Sequence, residues 1–223
     1  SPRLMTGSLL PSQDAPSVGQ SNREHIVITK TVLITGGARG IGKAIADELA
    51  QDHDVAITWL STQPVDLPDS LLALQSDLTK PGAAGDVVAQ IIRRFGRLDV
   101  IVNNAGQVAP SPVDAHDAPA LRTILDVNLL APDALLTAAL PHLEPGAAIV
   151  NISSVNAVLP PMGAAIYGAS KAALNLWTRG MAKELGPRGI RVNAVAPWYI
   201  DTPLAQQVLK DPDYAAAVLE RTP

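Results

Sequence analysis

Short apolar runs alternate with stretches of helical spacing from residue 31 to residue 195. Thr31-Val-Leu-Ile-Thr35 is an apolar run of strand length. Ile41, Ile45 and Leu49 recur at i, i+4 and i+8, which predicts a helix over residues 41–50. Residues 54–60 and 71–76 predict the second and third strands, and 81–95 a helix with Pro81 in its first turn. A fourth strand over 98–102 ends at Asn103-Asn104, and a long helical stretch follows over 119–143. Residues 147–152 predict a strand, 166–185 an alanine-rich helix stopped by Gly186-Pro187, and 190–195 the last strand. The strands are mostly apolar. That pattern predicts a parallel sheet covered by helices on both faces, a doubly wound Rossmann-like α/β fold.

No repeat and no linker divides this unit, and 223 residues suit a single domain. Residues 1–24, rich in Ser, Pro, Gly and Gln, are expected to form a flexible arm ahead of a domain over 25–223. Pro64 and Pro68 argue against a helix between the second and third strands. Residues 203–223 are expected to form a helical lid.

Aromatic residues make up only 3%, so Ala, Val, Leu and Ile must fill the core. A net charge of −4 gives no electrostatic case for nucleic-acid binding. No apolar run approaches the roughly 20 residues of a membrane span, so no membrane partner is expected. The absence of cysteine excludes disulfides, Cys-ligated zinc and thiol catalysis, and a cytoplasmic location is compatible with it. His25, His53, His116 and His142 lie far apart and form no HExxH-type pair, so no metal site is expected.

The chemistry is concentrated at the strand ends. Thr35-Gly36-Gly37-Ala38-Arg39-Gly40-Ile41-Gly42 joins the first strand to the first helix. Glycines allow a pyrophosphate to approach the backbone closely, and the following helix offers its free N–H groups and positive dipole end. Tyr167 and Lys171 stand at i and i+4 on a helix and so share a face. A cation beside a phenol lowers its pKa, so Lys171 is expected to tune Tyr167 from near 10 toward the working pH. Pro132 cannot bond the carbonyl four residues back, which is that of Asn128. If one helix runs through both residues, that carbonyl is released to accept a water. The alternative is that Pro132 opens a second helix.

The spacing T-G-x-x-x-G-x-G resembles the short-chain dehydrogenase/reductase family. Asn103-Asn104-Ala105-Gly106 resembles its N-N-A-G, Tyr167-Gly-Ala-Ser-Lys171 its Y-x-x-x-K, and Ser154 lies 13 residues before Tyr167, where the family places its serine. The resemblance covers residues 31 to 202. It implies a catalytic set of Asn128, Ser154, Tyr167 and Lys171, with Asn128 holding a water behind the lysine. Ser153 is the adjacent candidate; along a strand the two serines point to opposite sides. The implied cofactor contacts are Thr35, Gly36, Arg39, Gly40, Ile41, Gly42, Ser61, Asp77, Leu78, Asn104, Ala105, Gly106, Tyr167, Lys171, Pro197, Ile200 and Thr202. Asp77 is equally suited to capping the next helix. Pro197-Trp-Tyr-Ile-Asp-Thr202 resembles the family's P-G-x-I-x-T, but Trp198 replaces the glycine and could place an aromatic wall at the site.

NAD binding generally uses a carboxylate at the end of the second strand. Thr58-Trp59-Leu60-Ser61 has none, and Arg39 could face a 2′-phosphate, so NADP(H) is favoured over NAD(H). Arg39 as a solvated loop charge stays open. The expected activity is hydride transfer between NADP(H) and a ketone or aldehyde, in a homodimer or homotetramer. The alternatives are an NAD-dependent secondary-alcohol dehydrogenase and a protein that binds NADP(H) without turnover. The chain stops at Thr222-Pro223, where family members continue through a final strand. Either it is truncated or its sheet edge is covered another way.

Overall fold

The computed structural model describes residues 29–65, 67–68, 70–115, 117–159, 161, 163–202, 205–206, 209–210, 212–220 and 222. The proposed arm over 1–24 lies outside them, as do His25 and His116. Six strands form one parallel sheet: β1 (Thr31–Ile34), β2 (Asp54–Trp59), β3 (Leu72–Gln75), β4 (Val100–Asn103), β5 (Ala148–Ile152) and β6 (Arg191–Val195). Their order is β3-β2-β1-β4-β5-β6. β1 pairs with both β2 and β4, so the winding reverses direction between β1 and β4. The crevice beyond the carboxyl ends of strands at such a reversal is where ligands bind in this architecture.

Side chains alternate across each strand and divide the core in two. On one face Leu33, Ala56, Ile101 and Ile149 pack against α2 (Ala83–Phe95), α4 (Ala131–Ala139) and the end of α5 (Ala165–Leu185). On the other face Val32, Ile34, Val55, Ile57 and Val102 meet α1 (Gly40–Leu49) through Ala46, Ile45 and Leu49. Both faces are aliphatic, as the low aromatic content demands. Beyond β4 the second face opens, and Asn193, Ala194 and Val195 on the edge strand β6 are exposed. No helix is assigned to the described residues between β2 and β3.

Two elements differ from the expectation. α2 starts at Ala83, because Gly82 holds its N-cap at φ +82°, a left-handed conformation that favours glycine; Pro81 lies in the turn ahead of it. The stretch expected over 119–143 is helical throughout but changes pitch. α3 (Ala118–Leu125) widens into a π-helical turn (Asp126–Leu130) before α4 resumes. The backbone stays right-handed helical at Leu125, Leu130 and Ala131, so Pro132 does not open a separate helix. Ala131 N–H reaches back five residues to Asp126 C=O, and Pro132 has no N–H for Asn128 four residues behind it.

The span Ala118–His142 is long and apolar enough for a membrane crossing, with a mean hydropathy of 1.4 over its best window. Sequence inspection alone did not single it out. Ile124, Leu135 and Ala139 are nonetheless fully buried, with Leu135 and Ala139 in the core beneath the sheet, which marks it as a core helix.

A buried amide chain fixes α5 to the sheet. Asn103 Nδ2 donates to Asn151 Oδ1 across β4 and β5 at 2.8 Å, and Asn151 Nδ2 donates to Thr178 Oγ1 on α5 at 2.8 Å. Removing the middle member strands Asn103 Nδ2, at a cost of about 1–3 kcal/mol, while Thr178 Oγ1 keeps its bond to Leu174 C=O. Asn151→Ala is therefore expected to lower unfolding stability by about 1–3 kcal/mol in urea titration. A loss below about 0.5 kcal/mol would show that the chain does not anchor α5.

Candidate active site

The glycine turn is built by packing. Thr35, buried at the end of β1, uses Oγ1 to accept the N–H groups of Asn104 and Ala105 at 3.0 and 2.9 Å. Asn104 Nδ2 in return donates to the carbonyls of Thr35 and Gly36 at 2.9 and 3.1 Å. A Cβ at Gly42 would stand 2.4 Å from Asn104 Nδ2, so glycine there admits the amide. Gly36 and Gly40 hold φ at +66° and +56°, which other residues rarely adopt. Thr35, Asn104 and Gly42 thus shape the turn, and its outer surface is left to Gly36, Arg39, Gly40 and Ile41.

That surface suits a phosphate. Arg39 is the N-cap of α1 but makes no side-chain cap, and the first turn has no acidic residue. The free N–H groups and the helix dipole therefore meet no anion from the protein itself. A Cβ at Gly40 would touch Thr202 Cγ2 at 3.5 Å, which sets the loop after β6 above the same turn. Arg39, at the N-cap of α1, and Ser61, two residues beyond β2, are both exposed. Asp77, after β3, accepts from Thr79 N–H and Oγ1 at 3.1 and 2.6 Å and lies 3.7 Å from Lys80. The Thr79 bonds hold its carboxyl below the ordinary value, so Asp77 does serve the turn before α2.

The first two turns of α5 carry Tyr167 and Lys171. Ser154 acts on the Tyr167 phenol and opposes the rise of its pKa, and its Oγ accepts Asn156 N–H at 3.1 Å. With that lone pair occupied, the Ser154 proton is free to point at the phenol oxygen. Ser153 turns the other way, donating to Lys171 C=O at 3.4 Å. Lys171 is 4% exposed; its Nζ donates to Ile152 C=O at 2.8 Å and lies 5.9 Å from the centre of the Tyr167 ring.

The electrostatics correct the expectation about tuning. Burial pushes the Tyr167 phenol above its ordinary value of 10, with the Ser154 bond opposing it. Lys171 does not pull it down; desolvation pushes the ammonium itself from 10.5 to about 8. Both groups sit in low dielectric, which disfavours the charged form of each, and the ammonium is aimed at the Ile152 carbonyl.

Asn128, 1% exposed in the π-turn, is fully used. Its Oδ1 accepts Gln107 N–H at 2.8 Å, and its Nδ2 donates to Gln107 C=O and Ser170 Oγ at 2.9 Å each. Ser170 Oγ donates to Tyr167 C=O at 2.7 Å. A Cβ at Gly106 would lie 3.5 Å from both Asn128 Oδ1 and Lys171 Nζ, so glycine keeps these groups facing a common space. Sequence reasoning missed Gln107, Ser170 and Gly168. Gly168 is required because a Cβ there would stand 2.9 Å from Asn156 C=O in the segment that carries Ser154.

A family model described as short chain dehydrogenase matches residues 30–213. The chain is a short-chain dehydrogenase/reductase. It is 31% identical to an uncharacterized oxidoreductase of Staphylococcus epidermidis over 185 residues, 79% of this chain and 80% of that protein. It is 36% identical to the chloroplastic NADPH-dependent aldehyde reductase 1 of Arabidopsis thaliana, covering 78% of this chain and 67% of that one. A crystal structure of a short chain dehydrogenase from Burkholderia cenocepacia in complex with NADP superposes with a TM-score of 0.73 at 38% identity, over 78% and 76% of the two chains. This short-chain dehydrogenase/reductase is accordingly an NAD(P)-dependent oxidoreductase.

A buried ammonium without a carboxylate partner is a stability cost. Between about pH 8 and 10.5 the folded protein binds fewer protons at Lys171 than the unfolded chain, so stability rises with pH there and the deficit is full below 8. Lys171→Met is expected to gain about 1–3 kcal/mol at pH 7 and to lose that gain above pH ~10.5. Thermal unfolding at the two pH values checks this, and a lower melting temperature at pH 7 would contradict it.

Proposed function

We propose that this enzyme reduces a ketone or aldehyde with NADPH, and that Tyr167 delivers the proton. The observation that carries the reading is Tyr167 between buried Ser154 and buried Lys171, whose Nζ lies 5.9 Å from the centre of its ring. A phenol whose pKa stands above 10 keeps its proton at neutral pH and is therefore an acid, which favours carbonyl reduction. When bound, the nicotinamide supplies the hydride to the carbonyl carbon. Tyr167 transfers its proton to the carbonyl oxygen. Ser154 donates a hydrogen bond to that oxygen and stabilises its developing charge. Lys171, with a proton that leaves near pH 8, restores the phenol, and the space at Gly106 joins it to Asn128.

The cofactor would be held by Gly36, Arg39, Gly40, Ile41 and Gly42 at its pyrophosphate and by Asp77 and Leu78 at its adenine. Asn104, Ala105 and Gly106 would line the floor, with Pro197, Ile200 and Thr202 above. NADP(H) is supported by the absence of an acid at the end of β2 and by exposed Arg39 and Ser61. The NADPH-dependent Arabidopsis enzyme and the NADP-bound Burkholderia structure add to that support. The described part of the 203–223 segment, α6 (Pro212–Glu220), is read as a lid. Trp198 ties to it, its indole N–H donating to Thr222 Oγ1 at 3.0 Å. Assembly as a homodimer or homotetramer is supported by exposed Leu130 and Leu176, at 55% and 65%.

Tyr167→Phe is expected to lower turnover of a ketone and aldehyde panel by about 10²–10⁴-fold while NADPH affinity stays within a factor of about two. Undiminished consumption of NADPH by that variant would end the mechanism. For the wild type, the reduction rate is expected to hold level below pH 8 and to fall above it as Lys171 loses its proton. A rate that climbs through pH 8 would contradict that order of events. Arg39→Ala is expected to weaken NADPH binding by about tenfold and leave NADH binding unchanged, the size of one charge-assisted phosphate contact. Equal effects on both cofactors would reject the 2′-phosphate assignment.

A further inference from the structure

We infer that Ser111 is a positioning residue for Tyr167, acting as the N-terminal cap of α5 from a loop 55 residues away in sequence. The inference rests on the reading of Tyr167 as proton donor.

The residue that precedes α5 is Ala164, with φ −141° and ψ 40°, and its side chain has no oxygen to accept the helix's first N–H groups. Ser111 supplies one. Its Oγ accepts Ile166 N–H at 3.3 Å, the bond an N-cap serine makes to the second helical residue. Its own N–H donates to Gly163 C=O at 2.6 Å, where the chain turns at φ +66° to enter the helix. Ser111 is 7% exposed, so water does not replace these bonds cheaply.

Ile166 immediately precedes Tyr167, so this cap fixes the turn that aims the phenol at Ser154. The loop that carries Ser111 is itself pinned along its length. Thr35 holds it at Asn104 and Ala105, and Asn128 grips both polar groups of the Gln107 backbone. From β1 to α5, one short segment therefore transmits the position of the glycine turn to the acid. A shift of the loop moves Tyr167 relative to the cofactor floor formed by its other end.

Two substitutions separate the capping oxygen from bulk: Ser111→Ala removes the acceptor, and Ser111→Thr retains it. Amide hydrogen exchange of Ile166 is expected to rise about fivefold in Ser111→Ala, the factor that corresponds to a cap of ~1 kcal/mol. Carbon-13 labelling of the three tyrosines, assigned with Tyr167→Phe, follows the phenol directly. Its titration is expected to move down toward 10 as the loosened turn admits water. In a carbonyl assay kcat is expected to fall at least fivefold with NADPH affinity unchanged, and threonine is expected to restore all three. Wild-type exchange and titration in Ser111→Ala would overturn the inference, as would failure of threonine to rescue, or an unchanged kcat beside altered spectra. A wild type that reduces no carbonyl, yet shows both spectral changes in Ser111→Ala, would refute the proposed function and leave the positioning of Tyr167 by Ser111 standing.

Discussion

Lys171 carries a charge that the fold has taken out of water without giving it a carboxylate among the described residues. Its ammonium has one carbonyl, that of Ile152, and the face of the Tyr167 ring. Such a group is expensive to bury and easy to deprotonate. Everything around it keeps it in that condition. Ser153 ties the lysine's own backbone to the end of β5, the Asn103–Asn151–Thr178 chain locks α5 to the sheet, and Asn128 closes the space behind. On one face of the sheet Leu33, Ile91, Ile101 and Ile149 are wholly buried in an aliphatic core.

The site joins two kinds of rigidity. The glycine turn is set by backbone and amide contacts at the switch between β1 and β4. The acid is set by α5, and the Ser154 segment can lie against that helix only because residue 168 is glycine. The π-turn connects them. By widening at Asn128, the helix commits that residue's side chain to Gln107 and Ser170 and leaves its carbonyl without a proline N–H four residues on. A chain break at Pro132 would have lost this, since α4 and the site would then be oriented separately.

Much of this was legible from residue order. Most strands are short, largely apolar runs, and the strand-to-helix alternation leaves few topologies open. Helical spacing put Tyr167 and Lys171 on one face, and the resemblance to the family's motifs singled them out together with Ser154 and Asn104. What spacing does not carry is burial. The direction of the Tyr167 shift came out opposite to the expectation because desolvation outweighs a nearby cation that points elsewhere. The pitch change at residues 126–130 depends on registers that a single proline only hints at. Ser111 and Gly168 act on partners brought close by the fold, one of them 55 residues distant. Asp77 bonds Thr79 in the turn ahead of α2 and does not cap that helix, whose N-cap is Gly82.

The protonation of one amine decides most directly whether this site is a desolvated acid–base pair. Nitrogen-15 NMR of Lys171 Nζ, assigned with Lys171→Met, reports its titration without any substrate. A midpoint near 8 is expected from its burial. A midpoint at the ordinary lysine value of 10.5 would mean that the ammonium is solvated, and would contradict a buried Lys171 behind Tyr167.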